Sequence, residues 1–302
     1  MSLFKLLNSP LRQLKFNTSI IQRSNNNLRA FSTQVEQKDL LINKLEGSQE
    51  GITVFSLNRP QVKNALSKSL VYSLLEGIDK LENDSSTRVL ILRSNVPGIF
   101  CAGADLKERV SMTDDEVKAF VTGLRTMMTS IENIKIPVIA ALDGTAMGGG
   151  LEMALACDIR IAADTIKMGL VETKLAIIPG AGGTQRLPRI VSPAIAKELI
   201  FTARLINGAE AKELGVVNHA VQQTESKDAA YKMALKIAEE ILPNGPIALR
   251  MAKQAIDEGI QVPLSEGYKV EQKCYEGVLY SKDRIEGLKA FNEKRKPRYL
   301  GN

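Results

Sequence analysis

The segment 136–152, IPVIAALDGTAMGGGLE, decides how this chain is read. From Pro137 to Leu142 every residue is apolar, without the alternation of a half-wet strand, so the run fits a strand buried on both faces. Asp143-Gly144 breaks it as a turn. Gly148, Gly149 and Gly150 follow, and Leu151–Cys157 is rich in helix formers. Glycines at such a junction let a ligand reach bare backbone, and free N–H groups at a helix start point at a negative oxygen. Glu152 falls in the first turn, facing the same place. A tight packing turn, with Glu152 a surface acid favoured by the helix dipole, would produce the same local pattern.

A second stretch has the same grammar. Val89-Leu90-Ile91-Leu92 reads as a strand, and Phe100-Cys101-Ala102-Gly103-Ala104-Asp105-Leu106-Lys107 as a small-residue loop running into a helix. Two such loops can offer two backbone N–H groups to one oxygen, which is what an oxyanion hole requires. Neither is a Lys-bearing phosphate loop, because no Gly-Lys-Ser/Thr follows. The later Gly180-Ala181-Gly182-Gly183-Thr184-Gln185 misses the dinucleotide pattern, since Gln185 stands where its last glycine belongs. A second acid, Glu172, lies in apolar sequence between Met168-Gly169-Leu170 and Leu175-Ala176-Ile177-Ile178-Pro179. Burial there would raise its pKa toward the range useful for acid–base work. The alternatives are a helix-capping acid or a partner for Lys174.

The motifs FCAGADLKER, IAALDGTAMGGGLEMALACD and MGLVETKLAIIPGAGGTQRLPR, in that order, resemble the crotonase (enoyl-CoA hydratase) superfamily, with similarity from about Leu40 to the end. Their wording is nearest to hydratases of a carboxylate-ended enoyl-CoA in leucine breakdown. The resemblance implies an α/β fold, a crotonase-like superhelix of repeated ββα units with a C-terminal helical region. It implies an acyl-CoA thioester as substrate and no metal or prosthetic cofactor, CoA being part of the substrate. Glu172 matches the family's main proton donor and acceptor and Glu152 its partner; having both favours hydration over isomerisation. The oxyanion donors carry over to the N–H groups of Ala104 and Gly149. Val62, Ala65 and Ala102 match the adenine end of CoA, and Asp105, Leu106 and Lys107 continue the substrate loop. Phe291 and Lys294 match a tail segment that reaches the nucleotide, often from a neighbouring subunit, in a homotrimer or homohexamer. A cation should meet the acyl carboxylate, and Arg109 and Lys174, following the two motif loops, are the candidates. The alternative substrate is a short-chain enoyl-CoA of fatty-acid oxidation.

An alternative of another class is RNA binding, which some relatives support with a lysine-rich helix. Here the stretch 63–82 holds only Lys63, Lys68 and Lys80, opposed by Glu76, Asp79 and Glu82, too few bases on one face for a phosphate-tracking comb.

The first 31 residues differ from the rest. Lys5, Arg12, Lys15, Arg23 and Arg29 occur there with no acid, amid Ser, Asn and leucines at near-helical spacing. That composition is expected of a mitochondrial transit peptide, with cleavage between Phe31 and Ser32 and a matrix destination. Taking those five bases from the net charge of +6 leaves +1, without the footprint of a dedicated nucleic-acid binder. Cys101, Cys157 and Cys274 lack CxxC spacing, which points to a reducing compartment and no structural zinc. His219, the only histidine, belongs to a loop-strand segment, and no GxSxG accompanies it. No run of about 18 apolar residues exists, so no membrane span is expected.

From Leu40, strand pairs alternate with helices: Leu40–Leu45 and Ile52–Leu57 as strands, a helix capped by Ser67, a strand at Arg88–Leu92, and a helix at Asp114–Ile131 behind the Thr113/Glu116 capping box. After Val221 only helices are expected, at 226–241, 246–258, 263–280 and 282–293. The organisation is therefore a leader (1–31), a ββα core (32–225) and a C-terminal helical cap and oligomerisation region (226–302).

Overall fold

The computed structural model describes residues 38–302; the expected leader lies outside the described residues. Two sheets carry the site. The larger orders its strands β1 (Leu40–Lys44), β2 (Ile52–Leu57), β3 (Val89–Ser94), β5 (Val138–Leu142), β7 (Ile159–Ala163) and β10 (His219–Val221). The β1–β2 pair is antiparallel and every other pairing is parallel. The smaller sheet has β4 (Ile99–Cys101), β6 (Thr145–Met147) and β8 (Lys167–Gly169) in parallel, with β9 (Ile206–Asn207) antiparallel on β8. From β3 to β8 each ββ turn therefore places one strand in each sheet, as the expected superhelix requires.

The unbroken apolar run at Val138–Leu142 is explained by what covers β5. Val138, Ala140 and Leu142 face the main core with Leu90, Leu92, Phe55 and Leu57. Ile139 and Ala141 face the other side with Ile52, Val54, Ile91 and Ile161. That second side is covered by α8 (Ala229–Ile241), whose Ala230, Ala234 and Ala238 recur every four residues and let the helix lie close on the sheet. Asp143 fixes the start of this helix, accepting from Ala230 N at 2.7 Å and Tyr231 N at 2.9 Å.

Helix α1 (Lys68–Glu82) begins at Ser67, which accepts from Leu70 N, and α3 (Asp114–Glu132) begins with the expected capping box. Between them lies the short α2 (Leu106–Val110), capped by Asp105. Helix α4 (Gly149–Leu155) starts two residues before the expected Leu151, inside the glycine run. The short helices α5 (Gly183–Ile190), α6 (Pro193–Thr202) and α7 (Gly208–Glu213) fill the stretch before β10. Helices α9 (Pro246–Gly259), α10 (Leu264–Leu279) and α11 (Lys282–Asn292) complete the C-terminal helical region. No helix among the described residues is long and apolar enough to cross a membrane.

Candidate active site

The smaller sheet assembles the site. Its three parallel strands end side by side, Cys101 pairing with Ala146 and Met147 with Gly169. The chain leaving β4 carries Ala104, that leaving β6 carries Gly149 and Glu152, and that leaving β8 carries Glu172. Gly148 N donates to Gly169 O at 2.8 Å and ties the second exit to the third. Three sequence-distant loops thus open at the C-terminal ends of adjacent parallel strands, where open α/β sheets place their ligands.

The two N–H groups expected as oxyanion donors are unpaired among the described residues and close together. Leu66 N donates to Gly103 O at 2.8 Å, and Asp105 N donates to Leu66 O at 3.0 Å. In such a parallel bridge the intervening residue, Ala104, turns its N–H away from its partner. No carbonyl of the described residues accepts it. Gly149 is the first residue of α4, so its N–H has no intrahelical acceptor. A methyl group placed on Gly149 would lie 3.7 Å from the Ala104 nitrogen, so both donors border one small space.

Glu152 is 3% exposed. Its Oε1 accepts from Ala181 N at 2.8 Å and from Gly183 N at 2.7 Å. Burial pushes its pKa up, while those N–H donors and the charges of Arg186 and Arg125 pull it back. Arg186 is itself held by Glu132 at 2.6 Å, and Arg125 by Gly180 O at 2.8 Å. The loop 180–183 thus cradles a carboxylate. Gly183 needs its missing side chain, since a Cβ there would sit 2.9 Å from Leu170 Cδ1 and 3.0 Å from Glu152 Oε1. Sequence reasoning missed this cradle; the Gly182-Gly183 pair was its only local signal.

Glu172 opens a 3-10 turn, Glu172–Leu175. It is half-buried, and its Oε2 is buried without a hydrogen-bond partner among the described residues. Burial, and then the nearby charge of Glu152, push its pKa up to about 7, against smaller opposing pulls from its own backbone N–H and from Arg109. Its Oε1 overhangs Gly148, where an added Cβ would lie 2.7 Å away. Gly148 also adopts φ 49°, ψ −120°, which a side chain would resist.

The residues expected around CoA fall into two groups. Val62 ends the 3-10 turn Pro60–Val62, and Ala102 N donates to Lys63 O at 3.1 Å, bringing Val62, Ala65 and Ala102 to one turn. The Arg59 guanidinium bonds Ala65 O and lies 3.7 Å from Asp105, so the substrate loop adjoins that turn. Ala102, Leu106 and Lys107 are exposed. Phe291 and Lys294 stand exposed in and just after α11, and no hydrogen bond or ion pair among the described residues links them to these loops. Of the two candidate cations, Arg109 is half-buried without an acidic or hydrogen-bonding partner for its guanidinium among the described residues, whereas Lys174 is exposed.

The fold and this pair of acids beside paired N–H donors define an enzyme of the crotonase kind. The chain belongs to the enoyl-CoA hydratase/isomerase family, whose model matches residues 47–302. It is 54% identical over 274 residues to the mitochondrial methylglutaconyl-CoA hydratase of Mus musculus, covering 90% of this chain and 87% of the relative. It is 53% identical over 263 residues to the mitochondrial enoyl-CoA hydratase domain-containing protein 2 of Mus musculus, covering 87% of this chain and 89% of that one. The crystal structure of an enoyl-CoA hydratase from Bacillus anthracis superposes with a TM-score of 0.83 at 47% identity, covering 87% of this chain and all of that one.

Proposed function

We propose that this chain is a mitochondrial hydro-lyase that adds water syn across the double bond of 3-methylglutaconyl-CoA, giving 3-hydroxy-3-methylglutaryl-CoA in leucine degradation. The observation that carries the chemistry is the contrast between two coupled acids beside two free N–H groups. Glu152, bonded by two N–H donors, is equipped to hold a charge; Glu172, with one orphan oxygen and a pKa of about 7, is equipped to hold a proton. Pairs of titratable groups pushed apart in this way divide the roles of base and acid.

The thioester oxygen sits between the Ala104 and Gly149 N–H groups. Water lies between the acids; the Glu152 carboxylate takes its proton as the oxygen bonds to the β-carbon. The double-bond electrons move toward the thioester oxygen, which the two N–H donors stabilise. Glu172 delivers its proton to the α-carbon, and the excess proton on Glu152 returns to Glu172 before the next turnover. CoA enters as part of the substrate, and the reaction calls on no metal or prosthetic group. The Val62–Ala65 turn and Ala102 receive its adenine end, with Asp105, Leu106 and Lys107 alongside.

The substrate assignment is supported by the relative's identity and by Arg109, a cation close enough to Glu172 to act on its charge: Arg109, rather than Lys174, meets the distal carboxylate. Phe291 and Lys294 reach the nucleotide from a neighbouring subunit of a trimer or hexamer, whose contacts use apolar side chains exposed on α9–α11, such as Ile256, Leu264 and Leu288. The leader carries the chain to the matrix. An RNA-binding role is not favoured, because Lys80 of α1 is tied to Glu76 at 2.8 Å.

Loss of the enoyl-thioester absorbance tests the proposal with 3-methylglutaconyl-CoA and crotonyl-CoA. The expected result is a higher kcat/KM for the former. Equal or better turnover of crotonyl-CoA transfers the assignment to the short-chain enoyl-CoA hydratase.

A further inference from the structure

Lys63 and Asn64 are consecutive non-glycine residues in the left-handed region, at φ 53° and 55°. Such backbone is uncommon, although asparagine tolerates it better than most residues. Asn64 is fully buried and holds two segments together. Its Oδ1 accepts from Arg59 N at 2.7 Å, closing the turn in front of it. Its Nδ2 donates to Phe100 O at 2.9 Å, in the strand β4 that leads into the oxyanion loop, and to Ser94 Oγ at 2.7 Å, at the end of β3. Its own carbonyl accepts from the Cys101 thiol at 3.1 Å.

Two residues later comes Leu66, which touches both N–H-presenting segments. Its backbone grips Gly103 and Asp105 on either side of Ala104. Its Cδ1 lies 2.9 Å from where a Cβ on Gly149 would stand. The direction of the Ala104 N–H and its spacing from the Gly149 N–H therefore depend on where the turn delivers Leu66.

We propose that Asn64 is a positioning residue for the oxyanion hole: it locks the left-handed turn, and through Leu66 it aims the Ala104 N–H. This inference rests on the assignment of Ala104 and Gly149 as the donors to the thioester oxygen. A small error in that aim is costly, because misplacement by about 1 Å can lower a rate about 10²-fold.

The test uses Asn64→Gly, which keeps the left-handed backbone accessible and removes the side-chain bonds. Two readouts are compared with the wild-type protein: hydration kinetics, and the red shift of bound 2,4-hexadienoyl-CoA, whose conjugated carbonyl reports its polarisation by the two donors. The expected result is a kcat lower by about 10- to 10²-fold, nearly unchanged KM, an unmoved pH profile and a smaller red shift. Ser94→Ala removes one of the Asn64 contacts, along with the Ser94 bonds to Val96, without changing a residue of the left-handed turn, and should move both readouts the same way to a smaller extent. If Asn64→Gly only lowers Tm while kcat and red shift persist, Asn64 is structural and the proposal is overturned. If Asn64→Gly does not fold, undiminished kcat and red shift in Ser94→Ala overturn it equally. A wild-type protein that neither hydrates enoyl-CoA nor shifts the probe removes the functional assignment itself, a distinct outcome.

Discussion

Glu152 and Glu172 share a chemistry and a site, yet the protein treats them in opposite ways. Glu152 lies in the first turn of α4, 3% exposed, with two backbone N–H groups on one oxygen. Glu172 lies in a 3-10 turn, half-buried, with one oxygen that nothing in the described chain satisfies. Burial raises the pKa of both. The difference is that the deeper acid has two backbone donors from another loop and two arginines to steady its charge, while the shallower one has only its own N–H and the more distant Arg109 against the Glu152 charge it faces. Depth alone therefore does not decide which acid holds the proton; the hydrogen bonds made at that depth do.

The strongest way to break this comparison is to remove each acid. Glu152→Gln and Glu172→Gln should each lower kcat by about 10²–10⁴-fold, the usual contribution of a positioned acid or base. On the proposed mechanism, in which both groups serve one water, the double variant should lose far less than the product. Near-normal turnover by folded Glu172→Gln would end the two-acid mechanism.

The glycines beneath the acids come next. Gly148→Ala places a methyl group 2.7 Å from Glu172 Oε1 in a backbone conformation that resists it, and Gly183→Ala places one 3.0 Å from Glu152 Oε1. Each should cost up to about 10²-fold in kcat through misplacement. Single-turnover kinetics on folded variants check this; full activity in both would show that neither acid needs its present position.

The difference between the cations is smaller. Arg109→Met should reduce kcat/KM for 3-methylglutaconyl-CoA roughly 10-fold more than for crotonyl-CoA, consistent with loss of one charged hydrogen bond. Lys174→Met should not discriminate. Equal losses on the two substrates after Arg109→Met would refute a carboxylate-binding role.

Dependence on pH sharpens the comparison last. With Glu172 as the proton donor at about 7, kcat/KM for hydration should fall as pH rises above that value, and this limb should vanish in Glu172→Gln. Stability carries the same signature. The folded pKa lies above the ordinary 4.5, so the charged form is disfavoured in the fold. The resulting penalty is absent below about pH 4.5, grows to about pH 7 and is constant beyond. Thermal melts should therefore show Glu172→Gln matching the wild-type protein at low pH and exceeding it by a small margin above pH 7. A constant difference across that window would contradict the assignment.

Much of this was legible in the chain. The apolar run from Pro137 to Leu142 announced a strand covered on both faces, and both faces are covered, the second by the alanines of α8. The capping residues Ser67 and Thr113 marked their helices, and the two glycine-bearing loops and both acids stood out by residue type. The smaller sheet was not legible. Strands as short as Ile99–Cys101 and Thr145–Met147 show too few residues for a period-2 pattern to emerge. The start of α4 at Gly149 was hidden as well, because glycine is a poor helix former and its place there is fixed by the neighbouring strand.

The sequence by itself marked the two acids, the two glycine-bearing loops and the longer helices and strands, since these follow from local pattern and residue chemistry, while Ala104 and Gly149 were named as donors by the resemblance. Only the tertiary structure decided which acid keeps its charge. The N–H groups that steady Glu152 come from Ala181 and Gly183, 29 and 31 residues away, and the bridge that turns the Ala104 N–H outward comes from Leu66. A pKa and the aim of an N–H are set through space, by neighbours whose separation along the chain carries no trace of their contact.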